Sequence, residues 1–276
     1  MIIWLASYPK SGNTYLRSLL ASYFFSKDGE FTFELLKSIQ KFPNFKHFKS
    51  LDIDCENEVN IFKNYIKAQE DINKKKKEIV FLKTHSSFCN IGEHVFSDLK
   101  NTLAAIYVVR DPRNVALSMA NYYSVENKEC VRRLISQQTD ILDNTENKNF
   151  KNYLGSWSFH FNSWKRLKNR LLIIKYENLI LNPKKEILSI LNFISSIIGS
   201  KIQINENKLD KSIKNTKFEK LRHLEKSNGF HENASISKNN FFNKGLKTDF
   251  NTDLDIHLRM EIETNFKDDL KELNYL

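Results

Sequence analysis

The chain is sparing with the residues that staple and punctuate a fold. Its 276 residues include seven glycines, four prolines, three cysteines and three methionines. Cys55, Cys89 and Cys130 lie far apart, with no CxxC pair and no HExxH. Neither a disulfide framework nor a zinc site has support in that spacing, and no metal site is expected. No apolar run approaches the length of a membrane-spanning helix. The apolar start, Ile2 to Ala6, is too short for a signal peptide and has no basic residue before it. The expectation is a cytoplasmic protein with no integral membrane segment. There is no internal repeat and no linker rich in Pro or Gly, so a single domain over residues 1–276 is expected.

What is present can build a large core. Hydrophobic residues make up 41% and there are 21 phenylalanines, which argues against disorder. The formal net charge is +10. Such a balance suits an anionic ligand, a nucleic acid or a membrane surface. The excess is spread along a chain rich in Lys and Asn throughout. Its one dense run, Lys74 to Lys77, has no interleaved aromatics and reads as a solvated face, not as a nucleic-acid site.

Four compact apolar runs read as buried strands: Ile2 to Ala6, Ile79 to Leu82, Leu103 to Val109 and Leu171 to Ile174. Helical patterns alternate with them. Apolar residues at 15, 16, 19, 20, 23 and 24 mark one helical face over Thr14 to Phe25. Asp111 and Pro112 are a helix start signal for Pro112 to Tyr123. Phe150, Leu154, Trp157, Phe161, Trp164 and Leu167 predict a helix over residues 150–169, and Asn182-Pro183 opens another through about Ile198. The Lys/Asn-rich stretch 199–245 reads as the most irregular. The alternation implies an α/β fold with a central, mostly parallel sheet flanked by helices.

Ligands in such sheets bind at the carboxyl ends of the strands. The first strand exits into Tyr8-Pro9-Lys10-Ser11-Gly12. The other three exit into Lys83-Thr84-His85, Arg110-Asp111 and Lys175-Tyr176-Glu177. Three of the four exits carry a cation directly at the edge, which points to an anion site. The stretch Ser7-Tyr8-Pro9-Lys10-Ser11-Gly12-Asn13-Thr14-Tyr15 joins a strand to a helix through a tight turn. Such a turn gathers unpaired backbone N–H groups and the positive end of the helix dipole in one place. Lys10 adds a charge, and Ser11, Asn13 and Thr14 add side-chain donors. Gly12, one of few glycines, falls where positive φ or close ligand approach is needed. The pattern fits a phosphate cradle, and also an ordinary βα turn with a capping hydroxyl. It is not a Walker loop: there lysine follows the last glycine, and here Lys10 precedes Gly12.

These residues resemble the sulfotransferases that use 3′-phosphoadenosine 5′-phosphosulfate (PAPS). Residues 7–15 look like that family's 5′-phosphosulfate loop, usually YPKSGTTW. Tyr107 to Ser118 (YVVRDPRNVALS) resembles its 3′-phosphate segment. Phe81-Leu82-Lys83-Thr84-His85 resembles the KTH stretch that carries its base. Gly155-Ser156-Trp157, Lys175 to Leu179, Asn182-Pro183 and Leu270 to Tyr275 are similar to its later landmarks, in order. The departures are specific. Tyr15 stands for a tryptophan, and an aromatic stack on adenine survives that change. Asn13 stands for a threonine, and an amide still donates. Phe242-Asn243-Lys244-Gly245 resembles the FxRKG loop over the 3′-phosphate, with Asn243 in place of the arginine. A bidentate charged contact is lost there, with Lys244 and the Gly245 backbone as candidates to compensate. Asn215 to Phe218 is a weaker match to the segment that places a second aromatic over the adenine.

The resemblance implies a P-loop-like sulfotransferase fold. It also implies transfer of a sulfuryl group from PAPS, with 3′-phosphoadenosine 5′-phosphate (PAP) as product and a hydroxyl or amine as acceptor. His85 would take the acceptor's proton, and Lys10 and Lys83 would stabilise the leaving phosphate. Lys10, Ser11, Gly12, Asn13 and Thr14 would hold the phosphosulfate end, and Tyr15 would stack on the adenine. Arg110 and Ser118 would hold the 3′-phosphate, with Asn243, Lys244 and Gly245 over it. Phe218 is placed at the base; Tyr176 reaches the base or caps the core. The acceptor is expected to be a small molecule, lipid or glycan. Its pocket is expected from Phe31 to Phe48, Ser86 to Phe96 or Tyr122 to Phe150. Phe42, Phe45, Phe48, Phe88 and Tyr123 are candidate lining or, equally, core. A magnesium-dependent metabolite kinase and a non-catalytic anion binder are the competing readings.

Overall fold

Alternating side chains of the first strand, β1 (Ile2–Ser7), set the plan of the molecule. Ile2, Trp4 and Ala6 pack into one apolar core, and Ile3 and Leu5 into another on the opposite face. A strand's side chains alternate across the sheet, so a strand apolar at every position is buried on both faces. The computed structural model describes residues 1–136, 150–230, 232 and 240–276.

The other strands of the main sheet are β2 (Gln40–Lys41), β3 (Val80–Thr84), β6 (Thr102–Val109) and β7 (Leu171–Lys175). Between β3 and β6 lies a small antiparallel pair, β4 (Asn90–Ile91) and β5 (His94–Val95). The five-stranded sheet runs β2-β3-β1-β6-β7, with every pairing parallel. The sheet is thus the one expected, with β2 as an edge too short to show in the sequence. The chain leaves β1 toward β3 and returns from β3 to β6 on the other side of β1. That reversal opens a crevice at the carboxyl end of β1.

The helix after β1, α1 (Asn13–Phe25), departs from the one-faced pattern. Its residues from Asn13 to Tyr23 are all buried, including Arg17. The Pro112–Tyr123 helix starts as expected: the Asp111 side chain accepts from the Arg113 N–H at 2.9 Å. The helix expected over 150–169 is shorter, Trp157–Trp164. Gly155 (φ 68°) breaks the pattern, and the Ser156 hydroxyl caps the new start by accepting from the Phe159 N–H at 3.1 Å. The stretch 199–245 is less irregular than expected. It holds helices Glu206–Asn215 and Phe218–Asn228, which bury Leu209 and Leu221 beneath charged outer faces. Lys74 to Lys77 end a helix at Lys76 and are exposed, as the charge run suggested. Among the described residues, no helix is long and apolar enough to cross a membrane.

Candidate active site

The β1 exit is built by its backbone. Lys10 (φ 64°) and Gly12 (φ 96°) both adopt left-handed conformations. A Cβ on Gly12 would lie 2.2 Å from the Tyr176 ring, so only glycine lets the turn close against that ring. The first intrahelical bond of α1 runs from the Leu16 N–H to the Gly12 carbonyl at 3.1 Å. The N–H groups of Asn13, Thr14 and Tyr15 therefore lack a partner within the helix. They open toward a cavity of about 1040 Å³ that spans the carboxyl ends of the sheet.

Most of the residues expected at the site meet in this cavity. Lys10, Gly12, Asn13, Thr14 and Tyr15 line it, as do Lys83, His85, Arg110, Ser118 and Tyr176. Phe218, Asn243, Lys244 and Gly245 close it from the other side. Ser11 is the exception: its Oγ is buried, outside the cavity lining, and has no hydrogen-bond partner among the described residues. Asn13 lines the cavity, but its amide turns inward. It donates to the Leu5 carbonyl at 2.9 Å and to Ser7 Oγ at 3.2 Å. Both donors are spent fixing the turn to β1, so the amide is not placed for the side-chain donation to a phosphate that was expected.

Arg110 ties two loops together. Its Nη1 donates to the Lys10 carbonyl and its Nη2 to the Gly245 carbonyl, each at 3.1 Å. Its guanidinium stacks over Tyr176, 4.6 Å from the ring centroid. Gly245 has φ 58°, and a Cβ there would meet the Phe218 ring at 3.0 Å. Asn243 donates to Asn121 Oδ1 at 3.0 Å, and Lys244 pairs with Asp253 at 2.8 Å.

Lys10 lies in an aromatic cage. Its Nζ is 3.6 Å from the Tyr122 ring centroid and 4.1 Å from that of Phe241. Burial, then the charges of Arg110 and Lys83, lower its pKa to about 7. Glu225 supports the cage: its carboxylate accepts from the backbone N–H groups of Phe241 at 2.5 Å and Phe242 at 2.9 Å.

His85 is held in one tautomer. Its Nδ1 lies 2.8 Å from the Ser7 carbonyl, which can only accept. Nδ1 therefore carries the proton, and Nε2 is the basic nitrogen. Burial, then the nearby Lys83 charge, pushes the pKa of His85 well below its usual value, so the ring is neutral. His160 holds the backbone at this point. Tyr107 donates to His160 Nδ1 at 2.8 Å, so His160 Nε2 carries the proton and donates to the His85 carbonyl at 2.9 Å.

Tyr122 opens the third segment expected to line the pocket and does line it. Several other neighbours had no clear signal in the sequence: Arg17, Phe241, Glu232 and His160. Only Arg17 left a trace, as a charge on a helix otherwise rich in apolar and small residues. Conversely, Lys175 is not in the cavity. Its ammonium donates to the carbonyls of Leu273 at 2.6 Å and Asn274 at 3.3 Å, and so docks the C-terminal segment. The phenylalanines offered as pocket lining are also elsewhere. Phe42 and Phe48 are fully buried in the core, Phe88 packs against it, and Phe45 is 41% exposed. Tyr123 does line the cavity; residues 137–149 of that third segment lie outside the described residues.

The family model described as sulfotransferase domain matches residues 2–274. The chain belongs to the sulfotransferase domain family. This sulfotransferase-family chain is 30% identical to mouse sulfotransferase 1B1 over 156 residues, 55% of this chain and 48% of the mouse protein. The dog sulfotransferase 1B1 is 28% identical over a stretch covering 55% of this chain and 49% of the dog protein. The chain thus spans about half the length of these curated relatives. Luciferin sulfotransferase of Photinus pyralis is 23% identical over 98% of this chain and 67% of its own. Among solved structures, retinol dehydratase in complex with androsterone and inactive cofactor PAP superposes with a TM-score of 0.61 at 17% identity. That match covers 98% of this chain and 80% of the other. Mouse sulfotransferase SULT7A1 complexed with PAP gives 0.59 at 19%, covering 98% and 84%. Both share the fold.

Proposed function

We propose that the protein is a PAPS-dependent sulfotransferase acting on a hydroxyl or amine of a small-molecule acceptor. One observation carries this reading: a histidine fixed as a neutral Nε2 base shares a cavity with Lys83 and with the Lys10 turn. A pure anion binder has no use for a base so placed. The retinol dehydratase and mouse sulfotransferase SULT7A1 structures, each in complex with PAP, lend the donor's identity.

The residues present fit the donor. The unpaired N–H groups of 13–15, with Lys10 and Lys83, suit a phosphosulfate group. Arg110 and Ser118 suit a 3′-phosphate. Tyr15, Tyr176 and Phe218 offer aromatic faces to a purine. Bound PAPS supplies the sulfuryl group. His85 Nε2 takes the acceptor's proton as the acceptor attacks. Lys83, 8% exposed, stands next to the base on β3, where a charge acts through little water. Lys10 moves from its aromatic cage toward the phosphate charge and is held there as the ammonium. Arg110 keeps the β1 turn and the Gly245 loop at a fixed separation.

Calorimetric titration with PAP, with and without magnesium, tests the reading, with adenosine 5′-monophosphate and ATP as controls. The expected result is metal-independent binding that needs the 3′-phosphate. A preference for ATP with magnesium would move the assignment to a kinase.

A further inference from the structure

The cavity is more basic than a PAPS donor accounts for. Lys10 and Lys83 face the phosphosulfate in the proposed reaction. Four more cations line the cavity from α1 and the segment around β2: Arg17, Lys37, Lys41 and Lys46. Among the described residues, one carboxylate lines this half, that of Glu232. The cavity's other carboxylate, Asp253, is paired with Lys244 beside the Gly245 loop.

Arg17 is a fixed part of the wall, with its side chain 2% exposed. Its Nη2 donates to the carbonyls of Leu36 at 3.2 Å and Ile39 at 2.9 Å, just before β2. Its Nη1 donates to both oxygens of Glu232, at 2.7 and 2.9 Å. The same carboxylate lies 3.5 Å from Lys83 Nζ. The chain therefore places an anion between a buried arginine and Lys83, on the strand that leads to the base. A buried guanidinium without an anion is costly, so this position selects for one. The segment's large aromatics point away from it: Phe42 and Phe48 are in the core. Apart from Leu36, which is 1% exposed, what the segment turns to the cavity is polar: Lys37, Gln40, Lys41, Asn44 and Lys46. An apolar acceptor gains little from that wall.

We propose that the acceptor carries an anionic group of its own, a carboxylate or a phosphate, that replaces the Glu232 carboxylate on Arg17. Lys41 contacts the same group, and the exposed Lys46 raises the local concentration of anions, whereas Lys37 is paired with Glu34. This inference rests on the sulfuryl-transfer reading.

The test uses the PAP-loaded protein and matched probes at constant ionic strength: glucose 6-phosphate against glucose, and 4-hydroxybenzoate against 4-hydroxybenzyl alcohol. Calorimetry should show at least one acid binding about tenfold or more tightly than its neutral partner, the equivalent of one pairing with a buried charge. Lys41→Gln with Lys46→Gln should cut acid binding several-fold and leave the neutral partner unchanged. Glu232→Gln should strengthen acid binding. The inference is overturned if acids and neutral partners bind alike, if neither binds, or if the double variant keeps the full preference. PAP binding, measured first in the same cell, separates the two failures. Without it the donor reading falls; with it, only the acceptor class does.

Discussion

The two halves of the cavity are made of different material. The half at the ends of β1, β6 and β7 is backbone: two left-handed residues, a helix start, and an arginine bonded to two loop carbonyls. The half at β3 and β2 is side chain: Lys83 on β3 and His85 directly after it, then a short 3-10 turn (Phe33–Ser38) and a two-residue strand that present lysines. A site made of backbone N–H groups is little altered by most substitutions, because changing a side chain leaves the N–H groups where they are. A side-chain wall can be rewritten residue by residue without moving the sheet. A common donor and a variable acceptor would be served by such a division.

The largest expected effect comes from the base of the side-chain half, whose Nδ1 is hydrogen-bonded to the Ser7 carbonyl of β1. His85→Ala should lower turnover about 100- to 10,000-fold, the span of a positioned general base. PAP affinity, measured by calorimetry, should be nearly unchanged. Turnover within a few-fold of the parent would remove His85 as the base. Because burial and Lys83 keep its pKa well below the ordinary histidine value, the ring stays neutral as pH falls through 6.5. The acid limb of kcat/KM should therefore lie below the usual histidine range.

Gly12→Ala strikes the backbone half alone. A left-handed conformation costs an L-residue about 1–2 kcal/mol, and the new Cβ would also meet the Tyr176 ring at 2.2 Å. Denaturant unfolding should show that loss or more, and PAP affinity should fall at least about tenfold. A variant unchanged in both would mean that the turn is not the cradle described here.

Lys10 joins the backbone half to solution pH. With its pKa lowered to about 7, the free protein loses this charge as pH rises through neutrality. Phosphate binding favours the ammonium, so binding above pH 7 takes up a proton. PAP affinity should then fall by up to about tenfold per pH unit between 7 and 9. Lys10→Arg, which stays charged, should flatten the profile. The same slope in the arginine variant would assign the titration to another group.

The same contrast explains what could be read without coordinates. The strands β1, β3, β6 and β7 and the turn at Lys10 were legible because local chemistry dictates them: apolar runs, a scarce glycine, a helix start. The core phenylalanines were not. Nothing in the pattern of Phe42 and Phe48 says which side of β2 they face, since that depends on Trp4, Tyr65 and Phe96 packing from distant segments. Lys175 looked like a site cation because it leaves a strand end. Only the C-terminal segment folded against it shows that its partners are the carbonyls of Leu273 and Asn274. The helices within 199–245 were hidden by Lys and Asn on their outer faces, although Asn205 caps the first by accepting from the Lys208 N–H at 3.0 Å. Arg17 and Glu232 are 215 residues apart, and no spacing rule joins them.

The smallest expected effect probes the departure from the family's motif that removes a charge from the donor half. Asn243 gives its amide to Asn121 at 3.0 Å, and the neighbouring Lys244 is engaged by Asp253. Neither therefore supplies the charge that the motif's arginine would bring over the 3′-phosphate. Asn243→Arg restores it. A hydrogen bond to a charged group contributes about 1.5–3 kcal/mol, but the new side chain gives up the Asn121 contact and loses rotamer freedom on binding. The net gain should be about five- to tenfold in PAP affinity, with a steeper fall as salt is added, since the added contact is between full charges. Adenosine 5′-phosphosulfate, which lacks the 3′-phosphate, should gain nothing. An equal gain for both nucleotides would place residue 243 elsewhere than over the 3′-phosphate. No gain for either would mean that Arg110 and Ser118 already satisfy that group, and that the donor half tolerates the loss because its backbone carries the binding.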